Sequence, residues 1–455
     1  KEVTGMIAHL KRASNLGRFY YLSLGAFLAA MALLLFTVVE MRRAFLFPLA
    51  DYFKIGSPSA ILYLNPGHVP LLALAGLGIW LGYRLLARLE GRQKGAGTNL
   101  KAIANLLGIA IMLFLVVDLF VYRGVPASRI AAAGKMGVGR ALDLGRFPGW
   151  LEPLGQGINY MALVWHATLL GVLIGGLLLA VVAAFLKPML GRTGFKAHLA
   201  GAALAVPQPF CSCCAAPIGA ALYNGGAALG PTLAFVVSSP MLNPTSLILA
   251  SVLLPGEFAL LRILGGLAVG VFLTYAVSLA ASRWTSQETV GTRPSRLVQL
   301  SARVVGSYSR LFRFGDLVQE RSVDSPVALL STWLALAWKL GRVVVPVLFV
   351  GSVVTAAAVK AIPSPSDSIL GVLAASAFGT LLMVPTWTEI PIAAGLIKEG
   401  LNGPAAALLL TLPAVSIPCL VIVAGAVRSF RVAFLLGLLV FLVGLGAGVA
   451  FMVAG

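Results

Sequence analysis

Polar residues gather into short clusters along this chain, and the intervals between clusters stay apolar for about 20 residues, the length of helix that crosses a bilayer. Nine intervals predict membrane-spanning helices: Phe19–Val39, Val69–Ala87, Ile103–Tyr122, Tyr160–Leu186, Leu229–Leu254, Phe258–Ala281, Gly341–Lys360, Ala405–Val423 and Val432–Val453. Two more, Ala197–Gly226 and Ile369–Lys398, are interrupted near the middle. Pro207-Gln208-Pro209 and a cysteine cluster break the first, and Val384-Pro385-Thr386-Trp387-Thr388-Glu389-Ile390-Pro391 breaks the second. Such breaks free backbone groups that lipid cannot satisfy, so the segments must be buried in protein or line a wet cavity. Both read as re-entrant hairpins. The fold class expected is an all-α polytopic membrane protein of nine spans plus two hairpins.

Composition sharpens that picture. Of 455 residues, 59% are hydrophobic and 11% charged, against about 25% charged in soluble domains. The mean hydropathy is +0.96. A soluble enzyme and a disordered chain are both excluded. The net charge of +19 would suggest nucleic acid in a soluble protein. Here the basic residues sit beside spans, as cytoplasmic loops require, so lipid rather than nucleic acid is the expected partner. The polar stretch Ser282 to Ser325 carries Arg283, Arg293, Arg296, Arg303, Arg310, Arg313 and Arg321 and is placed in the cytoplasm. Nine spans then put the N-terminus inside and the C-terminus outside. The basic segment Arg123 to Arg146 falls outside on this count and is read as an amphipathic stretch lying on the membrane.

The second half echoes the first. Pro217-Ile218 precedes Gly230-Pro231, Pro240 and Pro244 at spacings of 13, 10 and 4; Pro391-Ile392 precedes Gly403-Pro404, Pro413 and Pro418 at 12, 10 and 5. Three spans between the hairpins would turn one half upside down relative to the other, the arrangement in which transporters place a site near the midplane between discontinuous helices. The organisation expected is a three-span accessory region (1–150), a first repeat with the cysteine hairpin (151–281), a basic cytoplasmic loop (282–326) and a second repeat (327–455).

Chemistry concentrates at the breaks. Cys211, Cys213 and Cys214 lie within Pro209-Phe210-Cys211-Ser212-Cys213-Cys214-Ala215-Ala216-Pro217. Thiolates are soft ligands for thiophilic metals. Positions i, i+2 and i+3 do not share one face of a regular helix, but a bent loop between prolines turns three sulfurs to one point. That suits trivalent arsenic, or Zn(II) with one more ligand. In the second hairpin stand Trp387, Thr388 and Glu389, and aligning Pro217 with Pro391 sets Glu389 opposite Ala215. A carboxylate inside a membrane segment is a functional hypothesis by default, here for a coupling proton, for completing the site or for balancing the substrate's charge; an interfacial pair with Lys398 is the structural alternative. Pro217, Asn243, Pro244, Pro391, Ser416 and Pro418 are read as helix-break support, with Asn243 and Ser416 able to orient a ligand. Cys419 is read as packing.

These motifs, in this order, resemble a bacterial predicted-permease family that includes the ArsP-type organoarsenical efflux permeases, over about residues 160–455. The resemblance implies an exporter of trivalent arsenicals or related thiophilic metals in the bacterial inner membrane. It maps the family's cysteine motif to Cys211, Cys213 and Cys214, and its second-half motif to Thr388, Glu389 and Pro391. Cys214 is extra relative to a simple Cys-x-Cys pattern, which brings inorganic arsenite or a divalent metal into range. The chain has no phosphate-cradling Walker A sequence, and no resident cofactor is expected. The reading is therefore a secondary permease, not an enzyme, that captures a small metal(loid) and is proton-coupled. A transmembrane thiol-disulfide relay is the alternative, as is a subunit of a larger permease complex; a homo-oligomer is compatible with either.

Overall fold

A computed structural model describes residues 2–41, 64–93, 99–133, 148–181, 187–208, 210–285, 323–359, 366–384 and 389–454. Trp387, Thr388 and most of the basic loop lie outside the described residues. All regular structure among the described residues is helical: α1 Glu2–Met41, α2 His68–Gln93, α3 Leu100–Ala133, α4 Glu152–Val181, α5 Phe195–Ala205, α6 Ser212–Asn224, α7 Leu229–Met241, α8 Pro244–Leu253, α9 Gly256–Leu267, α10 Thr274–Thr285, α11 Pro326–Val359, α12 Ile369–Leu381, α13 Glu389–Lys398, α14 Asn402–Ala414, α15 Ile417–Val427 and α16 Phe430–Ala454, with a single turn at Lys187–Leu190. Nine stretches among them are long and apolar enough to cross a membrane, and each overlaps one expected span. This is a multi-pass membrane protein. The seventh departs most from expectation: α11 begins at Pro326, not Gly341, because the helix runs unbroken through Lys339 and Arg342.

Two compact units divide the chain. Residues 1–111 with 321–332 form one, and residues 112–320 with 333–455 form the other. In the first, α1 and α2 pack along each other. There the buried Glu90 carboxylate accepts from Tyr20 Oη at 2.9 Å and from the Val327 N–H at 3.2 Å. It thereby caps the start of α11, where a backbone donor has no helical partner. The outward faces of α1 and α2 are apolar, with Phe19, Leu22, Phe36, Leu74 and Leu81 exposed, as a lipid-facing surface demands.

In the second unit, the most interrupted segments are the deepest. Within an 18-residue stretch of each, Leu229–Leu253 and Asn402–Val427 are 78% and 72% buried, against 33% for Gly256–Ala281 and 39% for Phe430–Ala454. Irregular backbone is confined to places where protein encloses it. Each of these two spans is a pair of half-helices. Asn243 caps the first helix restart by accepting the Thr245 N–H at 2.9 Å, with Pro244 in the first turn, where its missing N–H costs nothing. Ser416 and Pro418 begin the corresponding restart of α15.

The half-helices pair by exchange. Arms α5 and α6 both pack on α7, and arms α12 and α13 both pack on α14. The second arms then cross over: α6 packs on α15, and α13 packs on α8. Leu249, Ala250 and Leu254 meet Ile390, Ala393, Ala405 and Leu409 in one buried cluster at the second crossing. Small residues allow close approach of backbones, the usual device between helices in lipid. A Cβ on Gly448 would lie 2.9 Å from the carbonyl oxygen of Gly403, and one on Gly176 would lie 2.7 Å from the Ala337 backbone nitrogen.

A π-helical turn, Ala268–Leu273, separates α9 from α10. Such turns release carbonyls from the helical ladder, and side chains collect them here. Gly270 O accepts from Ser238 Oγ at 2.9 Å and Thr274 Oγ1 at 2.7 Å, while His198 Nε2, on arm α5, lies 2.8 Å from Val271 O. The span that carries this turn is thereby tied to α5 and α7.

Candidate functional site

The three cysteines meet because one of them is outside the helix. Cys211 is the N-cap of α6, in extended conformation (φ −71°, ψ 162°), and Cys213 and Cys214 occupy the first turn. Cys211 Sγ lies 2.9 Å from Cys213 Sγ and 3.2 Å from Cys214 Sγ, and all three sulfurs fall within 4.8 Å of one another. None is in a disulfide. Among the described residues, no other group of three His, Cys, Asp or Glu could hold a metal. Sulfurs bound to one ion at about 2.3 Å stand roughly 3.5–4 Å apart, so small side-chain rotations suffice to seat a thiophilic ion.

Glu389 stands at the second hairpin's break, fully buried. Its charge partner is one the sequence reading missed: Arg262 of α9, equally buried, with a guanidinium nitrogen 3.4 Å from Glu389 Oε1. Ser246 of α8 donates to the same oxygen at 3.1 Å. Arg262 also donates to Met241 O at 2.8 Å and Pro240 O at 3.1 Å. It thus satisfies the carbonyls that the Pro240–Pro244 interruption removes from the helical ladder. The signal was present as a single Arg within an apolar span, the kind of intramembrane charge that calls for a partner.

Two further contacts tie the breaks together. Ser212, between the cysteines, lies 3.4 Å from Ser416 Oγ (hydroxyl to hydroxyl) at the start of α15. Ser239 Oγ donates to Gln208 O at 2.6 Å, three residues before Cys211. The α5–α6 break therefore meets the break between α14 and α15, and the α12–α13 break meets the one between α7 and α8. Of the remaining expected residues, Pro217 lies buried within α6, Pro391 lies in the first turn of α13, and Cys419 is buried in α15. Trp387 and Thr388 cannot be placed, since they lie outside the described residues.

The arrangement, a thiol cluster and a buried ion pair at two helix breaks, can be set beside known proteins. The chain is 30% identical over 284 residues to UPF0718 protein YraQ of Escherichia coli (strain K12), covering 61% of this chain and 74% of that protein. It is 26% identical over 288 residues to UPF0718 protein MJ0584 of Methanocaldococcus jannaschii, covering 54% of this chain and 78% of that protein. No solved structure matches it. The family model described as "Predicted permease" matches residues 157–453, a stretch that holds the hairpins, both broken spans, the cysteines and the Arg262–Glu389 pair. On that match the chain belongs to the ArsP_1 family of predicted permeases.

Proposed function

We propose that this permease exports a thiophilic metal or metalloid across the bacterial inner membrane, and that Cys211, Cys213 and Cys214 bind the cargo. The observation that carries the reading is the convergence of three sulfurs within 4.8 Å at the break of a hairpin. Trivalent arsenicals suit it best, since three thiolates complete a pyramidal arsenic without further ligands. The two arms of each hairpin contain 11 and 13, and 13 and 10 residues. At 1.5 Å per residue they are about 15–20 Å long, too short to cross about 30 Å of hydrocarbon singly. Both arms of each pack on one half-helix, which supports hairpins that enter and return on the same side. The exchange of second arms between halves supports an inverted repeat.

In this mechanism the thiols take the cargo from the cytoplasm, the two halves rock about the central α7–α14 contact, and the site opens outward. Protonation of a thiolate weakens its hold on a metal, so an acidic exterior drives release, and Glu389 carries the coupling proton. The N-terminus is cytoplasmic and the C-terminus external. The test is uptake of arsenite, methylarsenite and Zn(II) into everted vesicles, with and without a proton gradient, by the native chain and by Cys211→Ser/Cys213→Ser/Cys214→Ser. Loss of uptake in the triple variant is the expected result. Undiminished uptake would overturn the thiol site, and a mixed disulfide trapped with a thioredoxin-like protein would favour the relay.

A further inference from the structure

The Pro240–Ser246 interruption holds more polar capacity than its own contacts use. Asn243 is fully buried; its Oδ1 caps α8, and its Nδ2 has no hydrogen-bond partner. Arg262 directs its two terminal nitrogens to Met241 O, Pro240 O, Ser246 Oγ and Glu389 Oε1, and leaves the Nε–H without a partner. Glu389 uses Oε1 on Ser246 and Arg262, and its Oε2 has none. All three side chains are anchored to residues 240–246, so the two spare donors and one spare acceptor belong to side chains held at the start of α8. A buried polar group left unpaired costs about 1–3 kcal/mol. Three around one helix turn are better explained by a ligand that satisfies them.

We infer that this interruption is a binding site for a small, neutral, hydroxyl-bearing molecule. The charges decide its class. Arg262 and Glu389 already neutralise one another, so a bare cation meets the guanidinium and an anion meets the carboxylate. A hydroxyl meets neither objection: its oxygen accepts from Asn243 Nδ2 or Arg262 Nε, and its proton is donated to Glu389 Oε2. The site also adjoins the thiols through the chain. Ser239, at one end of the interruption, holds the carbonyl of Gln208, which leads into Cys211.

Resting on the transport reading above, the occupant is the hydroxide form of the cargo, held here before it reaches the cysteines. The exchange that follows is balanced without any change of oxidation state. Each metalloid–oxygen bond and S–H bond is replaced by a metalloid–sulfur bond, and one water molecule leaves.

The test uses boric acid, a neutral trihydroxide with no useful affinity for thiols, on the purified full chain in detergent. Ligand that binds only the folded state raises the unfolding temperature. A saturable rise is expected in the native chain and, equally, in the Cys211→Ser/Cys213→Ser/Cys214→Ser variant. It should vanish in Asn243→Ser, which keeps a capping oxygen and removes the spare donor. Asn243→Asp, which also retains the cap, serves the same purpose if the serine variant does not fold. No rise in the native chain would mean that the interruption admits no hydroxyl-bearing ligand and would overturn the site. A rise that persists in the Asn243 variants would overturn it as well. Because boric acid does not engage thiols, the outcome is independent of whether the cysteines carry arsenite.

Discussion

Replacing Arg262 with Met while Glu389 remains should be the most damaging single change in the second unit. The guanidinium and carboxylate are 3.4 Å apart with both side chains fully buried. At an effective dielectric of about 20, two unit charges at that distance attract by roughly 5 kcal/mol. Removing one partner of a buried pair typically costs about 3–5 kcal/mol, because an uncompensated charge is left behind. Arg262→Met also strips Pro240 O and Met241 O of their donors. Glu389→Gln also leaves an uncompensated charge, here the guanidinium, and should cost a similar ~3–5 kcal/mol, although both carbonyls keep their donor. The double variant should then be less damaged than the two single losses together, by about 1–3 kcal/mol, the coupling expected of side chains in contact. Reversible unfolding of the four proteins in mixed micelles, read by circular dichroism, measures this cycle. Losses that add to within about 0.5 kcal/mol would show that Arg262 and Glu389 are not an energetic unit.

Two other outcomes follow from the packing and from the topology. Gly176→Leu forces a side chain against the Ala337 backbone, which a Cβ alone would approach to 2.7 Å, and overpacking of that kind costs about 1–3 kcal/mol; a fall in thermal midpoint without a change in cargo affinity is expected, and an unchanged midpoint would contradict the close α4–α11 contact. Single cysteines introduced at the exposed Asn224 and the half-buried Asn402, in a background lacking the native thiols, should label from opposite sides of the membrane, and labelling from one side would exclude inverted halves.

The spans were legible because hydropathy over 20 residues is a strong, local signal, and each expected span meets a helix. The breaks were legible because proline is a local signal too. The start of α11 was missed by 15 residues, since Lys339 and Arg342 read as flanks of a span although a helix with long side chains carries them easily. The convergence of Cys211, Cys213 and Cys214 was anticipated from the need to bend the chain, and the extended Cys211 supplies the bend. Arg262 was not anticipated, because an average over a window absorbs one charge among many apolar residues. Its partners, Ser246 and Glu389, are 16 and 127 residues away. The crossing of second arms between halves is likewise a property of the assembled unit, and no local pattern encodes it.

That 127-residue separation has a bearing on how the protein is made. Synthesis proceeds at about 5–20 residues per second, so Arg262 leaves the ribosome roughly 6–25 s before its carboxylate exists. Throughout that interval α9 must enter the membrane with an unneutralised guanidinium, and the interruption beside α8 waits for an arm not yet translated. The first half is therefore a nascent intermediate whose polar seam is open to lipid or to an insertion chaperone. A chain terminated before Glu389 would leave the buried guanidinium of Arg262 without its carboxylate.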